Sequence, residues 1–203
     1  MVHFRGPGRS LLAGVEVGNG PTGVVLAHQS DGSHCDWWPY APELVGLGYR
    51  VLAFDFDGYG ASSSGNSNYP RDVAAAAREL RALGAQRVVL MGASMGGTAV
   101  VCAAPRLDPP PAGVVDLSGP SSFEGMDAVA AARSLRAPAL FAEGNQDPIA
   151  DVAPVQAAAA STDKPLVVAD TSLHGVALLD PDTGSPQVRD AVRSFLLRVA
   201  PPH

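Results

Sequence analysis

The chain has 203 residues, 46% of them hydrophobic and 17% charged, with a formal net charge of −6. Such a length fits a single globular domain, residues 1–203, and the composition excludes a disordered chain. The negative balance, with Lys164 the only lysine, argues against a nucleic-acid partner, whose phosphates would be repelled.

The apolar runs are too short to span a membrane and no leader pattern precedes the first expected strand, so a cytoplasmic location without a membrane partner is expected. Cys35 and Cys102 match no metal spacing. They read as small buried hydrophobes rather than as a disulfide. No metal and no cofactor is expected, and the oligomeric state is left open.

In chain order, LLAGVEVG (11–18) reads as an outer strand and TGVVLAHQS (22–30) as a buried strand running into a polar loop. Residues 38–47 read as a short helix, and YRVLAFDFDGYG (49–60) as the next strand with its exit loop. A helix is predicted over 70–84: Pro70 opens it, Val73, Ala76, Ala77, Leu80 and Leu83 share one face, and Gly84 closes it. Strand 87–91 and a helix over about 95–104 follow. GVVDLSG (113–119) and PALFAEG (138–144) are two further strands around a mostly helical segment, and PLVVADT (165–171) is the last strand. The final helix covers about 185–199. Neither a repeat nor an interdomain linker is visible.

Strands that read as continuous Val/Leu/Ala runs are buried on both faces, and their alternation with helices implies parallel pairing. The predicted class is α/β, a mostly parallel sheet with helices on both faces. In such sheets the working groups collect at the carboxyl ends of the strands. His28–Ser33, Asp57–Ala61, Ser94, Ser118–Pro120, Asp147 and His174 all follow strands and are expected along one edge.

The chemistry centres on Gly92-Ala93-Ser94-Met95-Gly96, a Gly-x-Ser-x-Gly turn directly after an apolar run. A serine there is lifted off the backbone, and small neighbours are needed because other backbone passes close by. The pattern alone is weak; its context makes it informative. Serine needs a base, itself oriented by a third group. Of the five histidines, His3 and His203 are terminal and His28 and His34 lie near the second strand. The order Ser, acid, His therefore selects His174 in SLHG. Asp147 in GNQDP is the first choice of acid, with Asp151 the main rival and Asp170 too close to the last strand.

The oxyanion of an acyl-transfer intermediate needs two N–H donors. Met95, directly after the serine and at the helix start, supplies one. The loop HQSDGS supplies the other, from Ser30 first or Gln29 next. Trp38 and Tyr59 are the candidate substrate-pocket aromatics.

Taken together, VVLAHQS, FDFDGYGAS, GASMGG, AEGNQDP and SLHG occur in an order that resembles the α/β-hydrolase fold family, over about residues 10–200. The resemblance implies Ser94, Asp147 and His174 as triad, with the oxyanion hole at Met95 and Ser30. In the family His is usually followed by Gly in the oxyanion loop; here His28 is followed by Gln29. A helical cap is common between the sixth strand and the acid strand, but only 120–137 is available here, enough for one fold helix. An open site is implied, similar to small lidless esterases and dienelactone-hydrolase-like enzymes. The latter typically carry cysteine where Ser94 stands.

The expected activity is hydrolysis of small carboxylic esters or thioesters through an acyl-serine, with a small-molecule ester as partner. Acyl transfer, perhydrolysis, a lyase reaction on the same fold, and a non-catalytic binding protein are the alternatives. A nucleotide site is disfavoured because GASMGG lacks GxGxxG and a following lysine.

Overall fold

The computed structural model describes residues 1–65 and 68–203. Alternation inside the buried strands explains the layering. In strand β3 (Thr22–Ala27) every residue is buried, and consecutive side chains enter opposite faces of the sheet. Val25 and Ala27 pack with helices α2 (Tyr69–Ala82) and α3 (Met95–Ala103); Val24 and Leu26 pack with α1 (Ala41–Gly46) and α6 (Pro186–Val199). Strand β5 (Arg87–Ala93) divides in the same way, Val88 and Leu90 to one side and Val89, Met91 and Ala93 to the other. Each fully buried Val or Leu contributes about 1.5–3 kcal/mol against exposure.

Eight strands of the described residues form one sheet in the order β1-β2-β4-β3-β5-β6-β9-β10. Its members are β1 (Val2–Arg5), β2 (Leu11–Val17), β4 (Arg50–Phe54), β6 (Gly113–Leu117), β9 (Ala139–Gly144) and β10 (Leu166–Ala169), together with β3 and β5. The β1–β2 and β2–β4 pairs are antiparallel, and all other neighbours are parallel. The parallel strands consequently end at one edge. There the chain leaves β3 at His28, β4 at Asp55, β5 at Ser94, β6 at Ser118 and β9 shortly before Asp147.

Helix α2 starts where expected, with the Asn68 side chain accepting from the Arg71 N–H and Pro70 in its first turn. Helix α6 is capped by Ser185, whose side chain accepts from the Val188 N–H, and buries Val188, Val192, Phe195 and Leu196. Among the described residues, no helix is long and apolar enough to cross a membrane.

Four sequence expectations need correction. The helix expected over 38–47 is present but shorter, as α1, and a 3-10 turn at His34–Trp37, capped by Ser33, precedes it unforeseen. Strand β1, absent from the sequence reading, pairs with β2 through only four residues.

The segment 120–137 is not mostly helical. It holds a hairpin of β7 (Ser122–Phe123) and β8 (Met126–Asp127) and then the five-residue helix α4 (Ala128–Ala132). The hairpin turns through Glu124 (φ 42) and Gly125 (φ 82). Both central residues are left-handed as a tight hairpin demands, but glutamate hides the usual Asn-Gly or Asp-Gly signal. Helix α5 (Val152–Ala158) was also unforeseen.

Candidate active site

The turn from β5 into α3 fixes Ser94. Its backbone lies at φ 50, ψ −117, a left-handed conformation that costs a non-glycine residue about 1–3 kcal/mol. The surroundings enforce it. The Ser94 N–H donates to the Leu117 carbonyl at 2.8 Å, and the Ser94 carbonyl accepts from the Thr98 N–H at 3.0 Å. A Cβ on Gly92 would stand 2.1 Å from the Gly96 carbonyl oxygen, and one on Gly96 would stand 2.2 Å from that of Ala27. Both glycines are therefore required by close backbone approach, and the second brings the end of β3 onto the start of α3.

Met95 is the first residue of α3, so its N–H has no acceptor within the helix. Its side chain is buried, and Sδ accepts from the Tyr59 hydroxyl at 3.7 Å. Tyr59 thus stands beside the serine turn, its ring also against His28 at 5.1 Å. Trp38, the other expected pocket residue, has its ring edge-on to His34 at 6.3 Å and packs on the α1/α6 side of the core.

His174 and Asp147 meet: Nδ1 lies 2.7 Å from Oδ2, with the carboxylate side chain fully enclosed and the imidazole 23% exposed. The other carboxylate oxygen accepts from the N–H groups of Ile149 (3.0 Å) and Ala150 (3.3 Å). Burial works against ionisation of Asp147, yet the hydrogen bonds from His174 and Ile149 prevail and hold it below the ordinary carboxylate range. An ionised Asp147 requires the His174 proton on Nδ1 and leaves Nε2 as an acceptor.

Neither rival acid reaches the ring. Asp151 stands at the start of α5, and Asp170 accepts from the side-chain amides of Asn145 and Gln146.

Gly175 joins this pair to the serine turn. At φ 57, its hypothetical Cβ would lie 3.4 Å from Ala93 Cβ and 2.5 Å from Gln29 Oε1. The residue after His174 is thereby wedged between the residue before Ser94 and the loop after β3. Among the described residues, Ser94 Oγ and the His174 ring are not joined by a hydrogen bond. Such links are often long without substrate and tighten when it binds.

The Gln29 carboxamide is already engaged. Oε1 accepts from the Val176 N–H at 3.4 Å and Nε2 donates to Asp31 at 3.0 Å. Ser30 is exposed in the turn closed by the Gly32 N–H donating to the Gln29 carbonyl at 3.1 Å.

A cavity of about 220 Å³ opens beside His174, lined also by Gln29, Asp36, Tyr40 and Val176. A larger one of about 610 Å³, between Tyr69, Arg106, Glu124 and Ala131, holds none of the candidate residues.

Sequence reading gave no role to three buried groups at this edge. His28 is fully buried, with Nδ1 donating to the Gln29 carbonyl (2.7 Å) while Nε2 accepts from the Phe56 N–H (3.1 Å). Burial lowers its pKa, in keeping with a neutral ring. Asp116 lies beneath the turn, where Oδ1 accepts from the Gly119 N–H at 3.0 Å and would be 2.1 Å from a Cβ on Gly97. Burial pushes its carboxyl up to about 7. Asp55 receives the His34 backbone and ring. Its position after Phe54 in FDFDGYG was the available signal, since a polar residue ending an apolar strand marks the loop edge. Among the described residues, no group of three or more His, Cys, Asp or Glu side chains is placed to hold a metal ion.

Comparison with known proteins bears on this geometry. A profile of the alpha/beta hydrolase fold matches residues 23–128, which include the serine turn and stop short of Asp147 and His174. An esterase from Pyrococcus furiosus superposes with a TM-score of 0.82 at 19% identity, over 98% of this chain and 89% of its own. A thermophilic esterase from Thermogutta terrifontis, solved with malate, gives 0.76 at 20% identity over 98% of each chain. An enol-lactonase from Burkholderia xenovorans gives 0.80 at 17% identity, over 96% of this chain and 99% of its own.

Proposed function

We propose that this chain, which belongs to the α/β-hydrolase fold family, hydrolyses small carboxylic esters through an acyl-enzyme at Ser94. The observation that carries the reading is the 2.7 Å His174–Asp147 pair, held by Gly175 against the strained turn that presents Ser94. The esterase and lactonase relatives in the same fold are consistent with it.

In this reading Asp147 keeps the His174 proton on Nδ1, so Nε2 accepts the Ser94 hydroxyl proton as Oγ bonds to the ester carbonyl carbon. The carbonyl oxygen becomes an oxyanion and takes the Met95 N–H, with a second N–H from the loop at Gln29–Ser30. Collapse breaks the bond to the alcohol, which leaves with the proton from His174. Water then repeats the sequence on the acyl-serine and releases the acid. The carboxamide of Gln29, tied to Val176 and Asp31, supports the loop, and its backbone or that of Ser30 supplies the donor.

The test is labelling by a fluorophosphonate probe together with p-nitrophenyl acetate hydrolysis. Wild type should be labelled on Ser94, and Ser94→Ala should lose both label and all but about 10⁻⁴ or less of the rate. A Ser94→Ala enzyme that hydrolyses the ester at the wild-type rate would end the proposal.

A further inference from the structure

A second nucleophile, imidazole and carboxylate stand in line outside the proposed machinery. Cys35 was read from the sequence as a buried hydrophobe, but the 3-10 turn at His34–Trp37 turns its side chain outward, and it is exposed. Its Sγ lies 3.6 Å from His34 Nε2. His34 Nδ1 in turn lies 2.9 Å from Asp55 Oδ1, and the His34 backbone N–H donates to the same oxygen at 2.7 Å. The second oxygen of Asp55 accepts from the Ala61 N–H at 2.9 Å.

Asp55 is fully buried, which works against its charge. The hydrogen bonds from His34 and Ala61 nevertheless hold it below the ordinary carboxylate range. With an ionised Asp55, the His34 proton sits on Nδ1, and the free lone pair of Nε2 faces the thiol. The other titratable groups nearby are Asp36, whose carboxylate accepts from the Ser33 N–H, and the buried ring of His28. A nucleophile within reach of a base that is itself oriented by a third group is the arrangement that activates a side chain.

We propose that Cys35 is a base-activated thiol and a site of reversible modification by low-molecular-weight disulfides. The proton of the Cys35 thiol passes to His34 Nε2. The thiolate attacks one sulfur of the disulfide, the S–S bond breaks, and a mixed disulfide forms on Cys35. The departing thiolate takes the proton from His34 and leaves as a thiol, so Cys35 is oxidised and the incoming disulfide is reduced.

Cys102 is the internal control. It is buried on α3, and burial pushes its thiol up to about 11.

Neither arm of the test measures ester hydrolysis, so its outcome is separable from the role of Ser94. In the first, native protein is alkylated with iodoacetamide from pH 8.5 to pH 6, and each cysteine is followed by mass spectrometry. An ordinary thiol of pKa about 8.5 loses roughly 150-fold of its thiolate over that range. Cys35 should lose less than tenfold, because the imidazole keeps the proton, and Cys102 should stay unlabelled. In the second arm, oxidised glutathione should add to Cys35 and be removed by dithiothreitol. His34→Gln should slow this addition at least tenfold at pH 6.5, and Cys35→Ser should abolish it. A wild-type profile that falls as steeply as that of free glutathione overturns the proposal. So does a folded His34→Gln variant that reacts at the wild-type rate. If His34→Gln does not fold, the wild-type profile decides alone.

Discussion

Replacing Asp147 by Asn tests the proposed triad at its most structurally defined link. The two carboxylate oxygens have different partners: Oδ1 accepts from the Ile149 and Ala150 N–H groups, and Oδ2 faces His174 Nδ1. An asparagine in the same place must keep its carbonyl oxygen towards those two N–H groups, because an NH₂ there would meet two donors. Its NH₂ then points at His174, which accepts through Nδ1 and carries its proton on Nε2, where the Ser94 proton would have to go. The side chain of residue 147 is fully enclosed, so water cannot take over the role. An inverted imidazole tautomer of this kind lowers kcat by about 10⁴ in a serine protease, a barrier increase of about 5.4 kcal/mol. The same loss is expected here, with little change in KM and a cooperative thermal melt retained. The assay is steady-state hydrolysis of p-nitrophenyl acetate, with Asp151→Asn as a companion that should stay within about threefold of wild type. An Asp147→Asn enzyme within tenfold of wild type, or a severe loss in Asp151→Asn instead, would refute the reasoning.

Gly175→Ala should lower both activity and Tm: a left-handed alanine costs about 1–2 kcal/mol, and its Cβ would lie 2.5 Å from Gln29 Oε1. Unchanged melting and kcat would show that the wedge is dispensable. Asp116→Asn should gain Tm relative to wild type as pH rises. The buried carboxyl binds its proton up to about pH 7, whereas in the unfolded chain it ionises near 4, so wild type loses stability across that window and the amide does not. Melts at pH 5 and pH 8 measure it, and a pH-independent difference would contradict it. Because only a four-residue hairpin pair and α4 lie between β6 and β9, little acyl chain can be covered, and kcat/KM should not climb from acetate to palmitate esters. A steady rise would reveal a tunnel.

The sheet was legible because its strands are mostly Val/Leu/Ala runs, and the two longest helices, α2 and α6, carry side-chain caps at Asn68 and Ser185. Burial on both faces leaves little else such runs could be. The hairpin escaped because Glu124 occupies a left-handed position normally signalled by Asn or Asp. Strand β1 escaped because four residues carry too little periodicity to read. The candidate triad residues stood out because each is a polar residue just after an apolar strand, and chain order ranks them. What order does not encode is contact across the edge. The Gln29 link to Val176, the packing of Tyr59 on Met95, and the His34–Asp55 pair all join residues far apart in sequence. Cys35 was misjudged for a related reason, since a one-turn 3-10 segment has too few residues to reveal which side faces the core.

The two glycines around Ser94 also divide labour at the turn. Gly92 and Gly96 are constrained by main-chain oxygens of Gly96 and Ala27, and none of those contacts involves the side chain of residue 94. Backbone shape and reactive group are therefore independent variables, as with a socket and the tool fitted to it. Someone redesigning the chemistry can exchange the atom presented to substrate, serine oxygen for cysteine sulfur, at one position and leave the support untouched. Altering Gly92 instead would force β5 away from the start of α3, and altering Gly96 would force β3 away from it, before any reaction could be tested.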